Sequence, residues 1–178
     1  MPADEPAVSA QEMRALLAAS DERLLGKCQI ETYRASGPGG QKRNKTSSAV
    51  RLRLLGTELT AVGTESRSQH ENKARALRRI RDRIALEYRL SLTPVPEWPA
   101  GTGAQGSQLH VSSKNPALPL VVALTLDGLA GFEGDASAAA RWLGVTPTSL
   151  IRFLAEDPPV WVAAQRIRVA HGRGPLRR

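Results

Sequence analysis

Ser36-Gly37-Pro38-Gly39-Gly40-Gln41-Lys42-Arg43-Asn44-Lys45-Thr46-Ser47-Ser48-Ala49-Val50-Arg51-Leu52-Arg53-Leu54-Leu55 joins a loop to a strand. Three glycines and a proline within residues 36–40 exclude a helix interior and a central strand, since glycine adds backbone freedom and proline removes a donor. Residues 48–55 then alternate. Val50, Leu52 and Leu54 fall on one face, Arg51 and Arg53 on the other. That is the pattern of a half-buried strand with a basic outer face.

Working outward, residues 27–34 read as a strand with Ile30 and Tyr33 as apolar anchors, and residues 10–25 as one helix on Met13, Leu16, Leu17 and Leu24. Downstream, Gly56-Thr57 fits a two-residue hairpin turn with glycine first, and Glu58 to Gly63 is the returning strand. Ser68 and Glu71 have the Ser-x-x-Glu spacing of a capping box. The long helix that follows carries an apolar stripe of Ala74, Leu77, Ile80, Ile84 and Tyr88, with Arg75, Arg78, Arg79 and Arg83 off it. Residues 1–90 are therefore expected to be α+β, a small antiparallel sheet packed on a long helix.

The pattern changes beyond that helix. Residues 91–108 contain Pro94, Pro96, Pro99, Gly101, Gly103 and Gly106 and read as a linker. Residues 109–178 read as an all-α module. Leu118–Leu129 is a buried helix, Ala136–Leu143 and Pro147–Ala155 form a helix-turn-helix pattern, and residues 158–170 a last helix opened by Pro158 and Pro159. Ala140, Gly144, Leu150 and Phe153 stand at the spacing of that motif. Two readings stay open for it, a plain helical hairpin or a nucleic-acid binder. Arg152 is the one basic residue of the second helix, which ends in Glu156-Asp157, and this argues against tight DNA reading. Trp142 and Trp161 are assigned to the core.

The formal net charge of +8 points to a polyanionic partner. Its placement is uneven. Between Arg23 and Arg53 the one acidic residue is Glu31, and between Arg67 and Arg83 the acids are Glu71 and Asp82. The expected polyanion-binding surface lies in the first half. With Cys28 as the single cysteine, no disulfide within the chain and no cysteine zinc cluster can form. The N-terminus does not read as a secretory signal, and no apolar run reaches the ~20 residues that span a bilayer. A cytoplasmic protein, without membrane contact and monomeric, is the expectation.

Without any family in view, the loop has a definite chemistry. Adjacent glycines let backbone approach another surface closely, and loop N–H groups can cradle an anion or a developing oxyanion. The Gln41 amide donates and accepts hydrogen bonds but is no general base at neutral pH. Lys42, Arg43 and Lys45 follow at once. Together they describe a loop inserted into an RNA-lined site rather than a self-contained catalytic centre. Other chemistries lack their motifs. His70, His110 and His171 are scattered, no Gly-x-Ser-x-Gly elbow occurs, and Gly37-x-Gly39-Gly40 is neither a dinucleotide fingerprint nor a P-loop. No cofactor and no metal are expected.

Residues Arg34 to Val50 resemble the signature of the peptide-chain release factors and of their codon-independent ribosome-rescue relatives. A second stretch, Glu65-Ser66-Arg67-Ser68-Gln69-His70-Glu71-Asn72-Lys73-Ala74-Arg75-Ala76-Leu77, is similar to the helix start beneath the loop in that family. The resemblance covers about residues 22–90. It implies a loop entering the ribosomal peptidyl-transferase centre, with ribosome and peptidyl-tRNA as partners. Gly39, Gly40 and Gln41 would be the catalytic residues. The Gln41 backbone amide would stabilise the transition state, and its side chain would place water and be a candidate for methylation. Lys42, Arg43, Asn44 and Lys45 would contact RNA. Ser68 and Gln69 would brace the loop, while Arg67 and Lys73 divide between fold support and RNA contact. The arginines from Arg75 to Arg83 read as a solvated face toward rRNA.

The chain also departs from that family. About 35 residues precede the loop, too few for a decoding domain, so codon-independent release in rescue of stalled ribosomes is expected. The basic tail of the short rescue factors is replaced by the helical module, with Arg173, Arg177 and Arg178 at the extreme end. The module could meet the mRNA channel or a ribosomal protein, through Arg166 and Arg168 for example. The alternative is a non-catalytic ribosome- or RNA-binding protein that retains the loop-domain fold.

Overall fold

The computed structural model describes residues 8–34 and 48–177. The chain forms two compact units, residues 1–84 and 85–178. The order of elements is α1 (Ala10–Leu17), α2 (Asp21–Leu25), β1 (Cys28–Tyr33), β2 (Ala49–Leu54), β3 (Thr60–Gly63), α3 (Gln69–Glu87), α4 (Leu118–Gly131), α5 (Ala136–Leu143), α6 (Pro147–Glu156) and α7 (Pro158–Ala170). The protein is thus α+β, a three-stranded antiparallel sheet with a long helix, followed by a helical module.

In the first unit the sheet order is β1-β2-β3. The alternation of residues 48–55 is realised: Val50, Leu52 and Leu54 are fully buried, Arg51 and Arg53 exposed. Three expectations need correction. The segment 10–25 is two helices, because Ser20 adopts extended backbone and its Oγ accepts from the Arg23 N–H at 3.4 Å, capping α2; serine offers the backbone this alternative to continuing a helix. The hairpin turn is wider than two residues. Leu54 N–H donates to the Leu59 carbonyl, so Leu55–Glu58 form the connection. Gly56 takes φ +71° at the third position of the turn Leu54–Thr57, which suits glycine. The Thr57 hydroxyl donates to the Leu54 carbonyl at 2.9 Å and accepts from the Leu59 N–H at 3.1 Å, holding that wider turn. Finally, Ile30 is not an anchor. It sits on the edge strand β1 and is 45% exposed, although its register partner Leu52 is fully buried.

The buried stripe of α3 is Asn72, Ala76, Leu77, Ile80 and Ile84, while Ala74 is exposed. The polar Asn72 is the first member of the apolar face. The basic face is only partly a solvated one. Arg81 donates to Asp21 and to the Ala19 carbonyl, both at 2.8 Å, and so ties the α1–α2 connection to α3.

In the second unit α4 is buried from Val121 to Leu129. Ala139, Ala140, Leu143, Leu150, Phe153 and Leu154 fill the space between the shorter helices. Gly144 ends α5 at φ +72° and Thr146 caps α6 through a 3.2 Å bond from the Ser149 N–H. The helix-turn-helix pattern therefore has its geometric basis in a left-handed C-cap at Gly144 and an N-cap at Thr146, with Val145 between them. Asp127 is buried in α4, where its Oδ1 accepts from the Leu90 N–H at 3.0 Å and from Arg89 at 3.4 Å. Residues 91–108 hold no helix or strand but run against the helices. The Thr93 carbonyl accepts from Trp142 Nε1 at 3.0 Å and the Ser107 carbonyl from the Thr146 N–H at 2.9 Å. Trp142 lies against Gly128 and, tilted, near Phe132.

Candidate functional site

The loop from Ser36 is anchored on both sides by the sheet. Tyr33, the last residue of β1, is the register partner of Ala49, the first of β2. The segment between them therefore leaves and re-enters the fold at one place. Gly39, Gly40, Gln41, Lys42, Arg43, Asn44 and Lys45 lie outside the described residues. The site's described part is its base.

Asn72 organises that base. It is fully buried in the first turns of α3. Its Nδ2 donates to the Ser48 carbonyl and to the Ser66 carbonyl, each at 2.7 Å, and its Oδ1 accepts from the Ser66 N–H at 2.9 Å. One side chain thus joins the downstream root of the loop, the turn after β3 and the helix. Primary amides suit this task, as they carry both donors and an acceptor in one plane. Gly63 makes the close approach possible, since a Cβ there would stand 2.1 Å from the Asn72 carbonyl oxygen.

The residues expected to brace the loop cluster here. Ser68 caps α3: its Oγ accepts from the Glu71 N–H at 3.3 Å. The reciprocal half of the capping box is made differently. The Ser68 N–H donates to Ser66 Oγ at 3.0 Å, while Glu71 lies 3.8 Å from Arg75. Gln69 is the first residue of α3 and is exposed. Arg67 is exposed and Lys73 half-buried beside them.

Charge on this surface divides into neutralised and unneutralised cations. Arg79 donates to Glu65 at 2.5 Å and also to the Val62 carbonyl, and Arg75 lies 3.8 Å from the same carboxylate. The Arg79 bond, with the Thr64 N–H, holds the Glu65 carboxyl down at about 2. Arg51 pairs with Glu31 at 3.3 Å and stacks over Tyr33 at 5.2 Å. Among the described residues, no carboxylate lies within ion-pair distance of Arg53, Arg67, Lys73 or Arg83. These four, among other cations, add to the positive potential of the first unit. Among the described residues, no group of three His, Cys, Asp or Glu side chains could hold a metal ion, and no helix is long and apolar enough to cross a membrane.

Reading the sequence missed Asn72 and Arg81. The signal for Asn72 was present, since it stands four residues before Ala76 and eight before Ile80 on the buried face. A polar amide in phase with an apolar stripe marks a buried hydrogen-bonding hub.

The comparison with known families matches residues 25–98 to the RF-1 domain. This stretch of the chain is similar to the peptide-chain release factors. Relatives agree. The chain is 58% identical over 62 residues to peptide chain release factor 1 of Leptothrix cholodnii, which covers 33% of this chain and 17% of the relative. It is 55% identical over 62 residues, with the same coverage, to peptide chain release factor 1 of Methylibium petroleiphilum. It is 52% identical over 60 residues to that of Rickettsia akari, covering 34% and 17%. The chain therefore spans about one sixth of the length of these relatives. The matched residues hold β1, β2, β3 and α3, and with them the Asn72 hub.

Proposed function

We propose that this chain hydrolyses the ester of peptidyl-tRNA in the ribosomal peptidyl-transferase centre, independently of a stop codon and in rescue of stalled ribosomes. The RF-1 domain match over residues 25–98, with the Gly39-Gly40-Gln41 sequence intact inside it, carries this reading.

In this mechanism water attacks the ester carbonyl carbon. The bond to the terminal ribose oxygen breaks, one water proton passes to that oxygen and the other to solvent, and the peptide leaves as a carboxylate. Gly39 and Gly40 permit the backbone shape, the Gln41 N–H stabilises developing negative charge, and the Gln41 amide positions the water. Lys42, Arg43, Asn44 and Lys45 hold the loop against RNA, with Arg67 and Lys73 adding phosphate contacts from the base. Ribosome and peptidyl-tRNA are the partners. No cofactor takes part, because the nucleophile is water and the acid–base environment is RNA.

The test is peptide release from purified ribosomes stalled with an empty A-site codon. The wild type releases peptide. Gln41→Ala loses about 100-fold or more in release rate, the scale of a lost transition-state donor or positioning group, and keeps its ribosome affinity. Equal release by this variant overturns the catalytic role. Tight binding with no release by the wild type leaves a non-catalytic ribosome-binding protein.

A further inference from the structure

Helix α6 borders an open groove of about 540 Å³ lined by Thr148, Ile151, Arg152, Ala155, Glu156 and Arg177. Thr148, Ile151 and Ala155 recur at helical spacing, so one helix face supplies its largely apolar floor. Two arginines, Arg152 and Arg177, and one carboxylate, Glu156, line its rim, so the charged lining carries a net positive charge. Among the described residues, neither Arg152 nor Arg177 has a carboxylate within ion-pair distance.

Arg177 is held in place by the folding back of the chain after α7. Leu176 is buried, its N–H donates to Gln165 Oε1 at 2.9 Å, and its carbonyl accepts from Gln165 Nε2 at 3.1 Å. Arg168 Nε donates to the Gly174 carbonyl and Arg173 Nε to the Glu133 carbonyl, both at 2.7 Å. Residues 173–176 are thereby tied to the unit, and the next residue is delivered to the groove.

We infer that this groove docks an acidic protein segment bearing an apolar side chain, which enters over Ile151 and Ala155 while its carboxylates meet Arg152 and Arg177. This is the helix-face or groove mode of peptide recognition, with the arginines giving orientation through charge-assisted bonds. A nucleic acid fits less well. Its phosphate backbone has nothing apolar to offer the floor. The inference stands independently of the release reaction.

The experiment selects short random peptides, displayed on phage, on the full chain and measures the enriched sequences as synthetic peptides by fluorescence anisotropy. Enriched peptides are expected to carry Asp or Glu around a Leu, Phe or Met. Arg152→Ala and Arg177→Ala are each expected to weaken binding about tenfold, as fits loss of a bond to a charged group. Both arginines are exposed, so thermal melts should match the wild type. Enrichment of basic or uncharged peptides, or binding unaffected by both substitutions, overturns the proposal. So does a labelled single-stranded RNA or duplex DNA that binds the wild type and loses affinity in these same two variants.

Discussion

Asn72 Nδ2 donates to the carbonyl of Ser48 at 2.7 Å, across 24 positions of sequence. The bond fixes the point where the chain leaves the loop and enters β2. The same amide satisfies both backbone groups of Ser66. Replacing it removes three bonds at once and strands their partners beside a buried helix face. Asn72→Leu should therefore destabilise the first unit by about 2–4 kcal/mol. Urea denaturation checks this, and a loss below about 1 kcal/mol would mean that water replaces the amide.

Gly63 gives a second view of the same junction. A Cβ at this position would meet the Asn72 carbonyl oxygen at 2.1 Å and its carbonyl carbon at 2.8 Å, both backbone atoms of α3. Strand and helix would have to separate. Gly63→Ala should cost about 3 kcal/mol, at the upper end for overpacking. The conformation is not the obstacle, because Gly63 is absent from the positive-φ glycines. A neutral Gly63→Ala melt would place the helix farther from β3.

Glu65 predicts a pH dependence. The Arg79 bond holds its carboxyl at about 2, below the usual 4.5. A carboxylate depressed on folding adds stability that is fully present above its unfolded value. That stability is lost as pH falls from about 4.5 to about 2. The side chain is 41% exposed, so solvent screening limits the pair to about 1 kcal/mol. Glu65→Gln should lower the melting temperature slightly at pH 7 and flatten its fall between pH 4.5 and 2. An unchanged slope over that range would show that other carboxylates set the acid limb.

The second unit holds an ion pair between the half-buried Arg89 and the buried Asp127, whose carboxylate also takes the Leu90 N–H. Removing one partner leaves a desolvated charge and an unsatisfied donor. Asp127→Ala should destabilise this unit by about 3 kcal/mol. Asp127→Asn keeps an acceptor for Leu90 and should cost less. Thermal melts of the two variants, compared side by side, decide it, and equal losses would show that charge alone matters.

Periodic features were the legible part of this fold. The two-residue alternation of β2 fixed its buried face, and the bounds of α5 follow from Asp135 and Gly144. Features held by polar side chains were not. Ser20 splits the first helix and Thr57 widens the hairpin, each through a local hydrogen bond, and Asn72 extends the buried face of α3 through a bond 24 positions away; hydrophobic patterning ignores all three. The contacts of Leu176 with Gln165 and of Thr93 with Trp142 join distant sequence and leave no periodic trace. The proposed loop site rests on a motif that lies outside the described residues. Its base was not legible, because Ser48, Ser66 and Asn72 carry meaning only once the sheet and helix bring them together.

The pairing of Tyr33 with Ala49 makes residues 34–48 a ring closed at its neck by a strand pair. The entropy of closing such a ring rises only logarithmically with its length, by about 0.6 kcal/mol for each doubling. Length changes inside it should barely tax folding while the neck and the Asn72 hub are intact. Intolerance to a one-residue insertion between Ser36 and Thr46, in a chain whose melting temperature is unmoved, would then be a measure of reach: under the proposed function, the distance from this tether to the reacting ester.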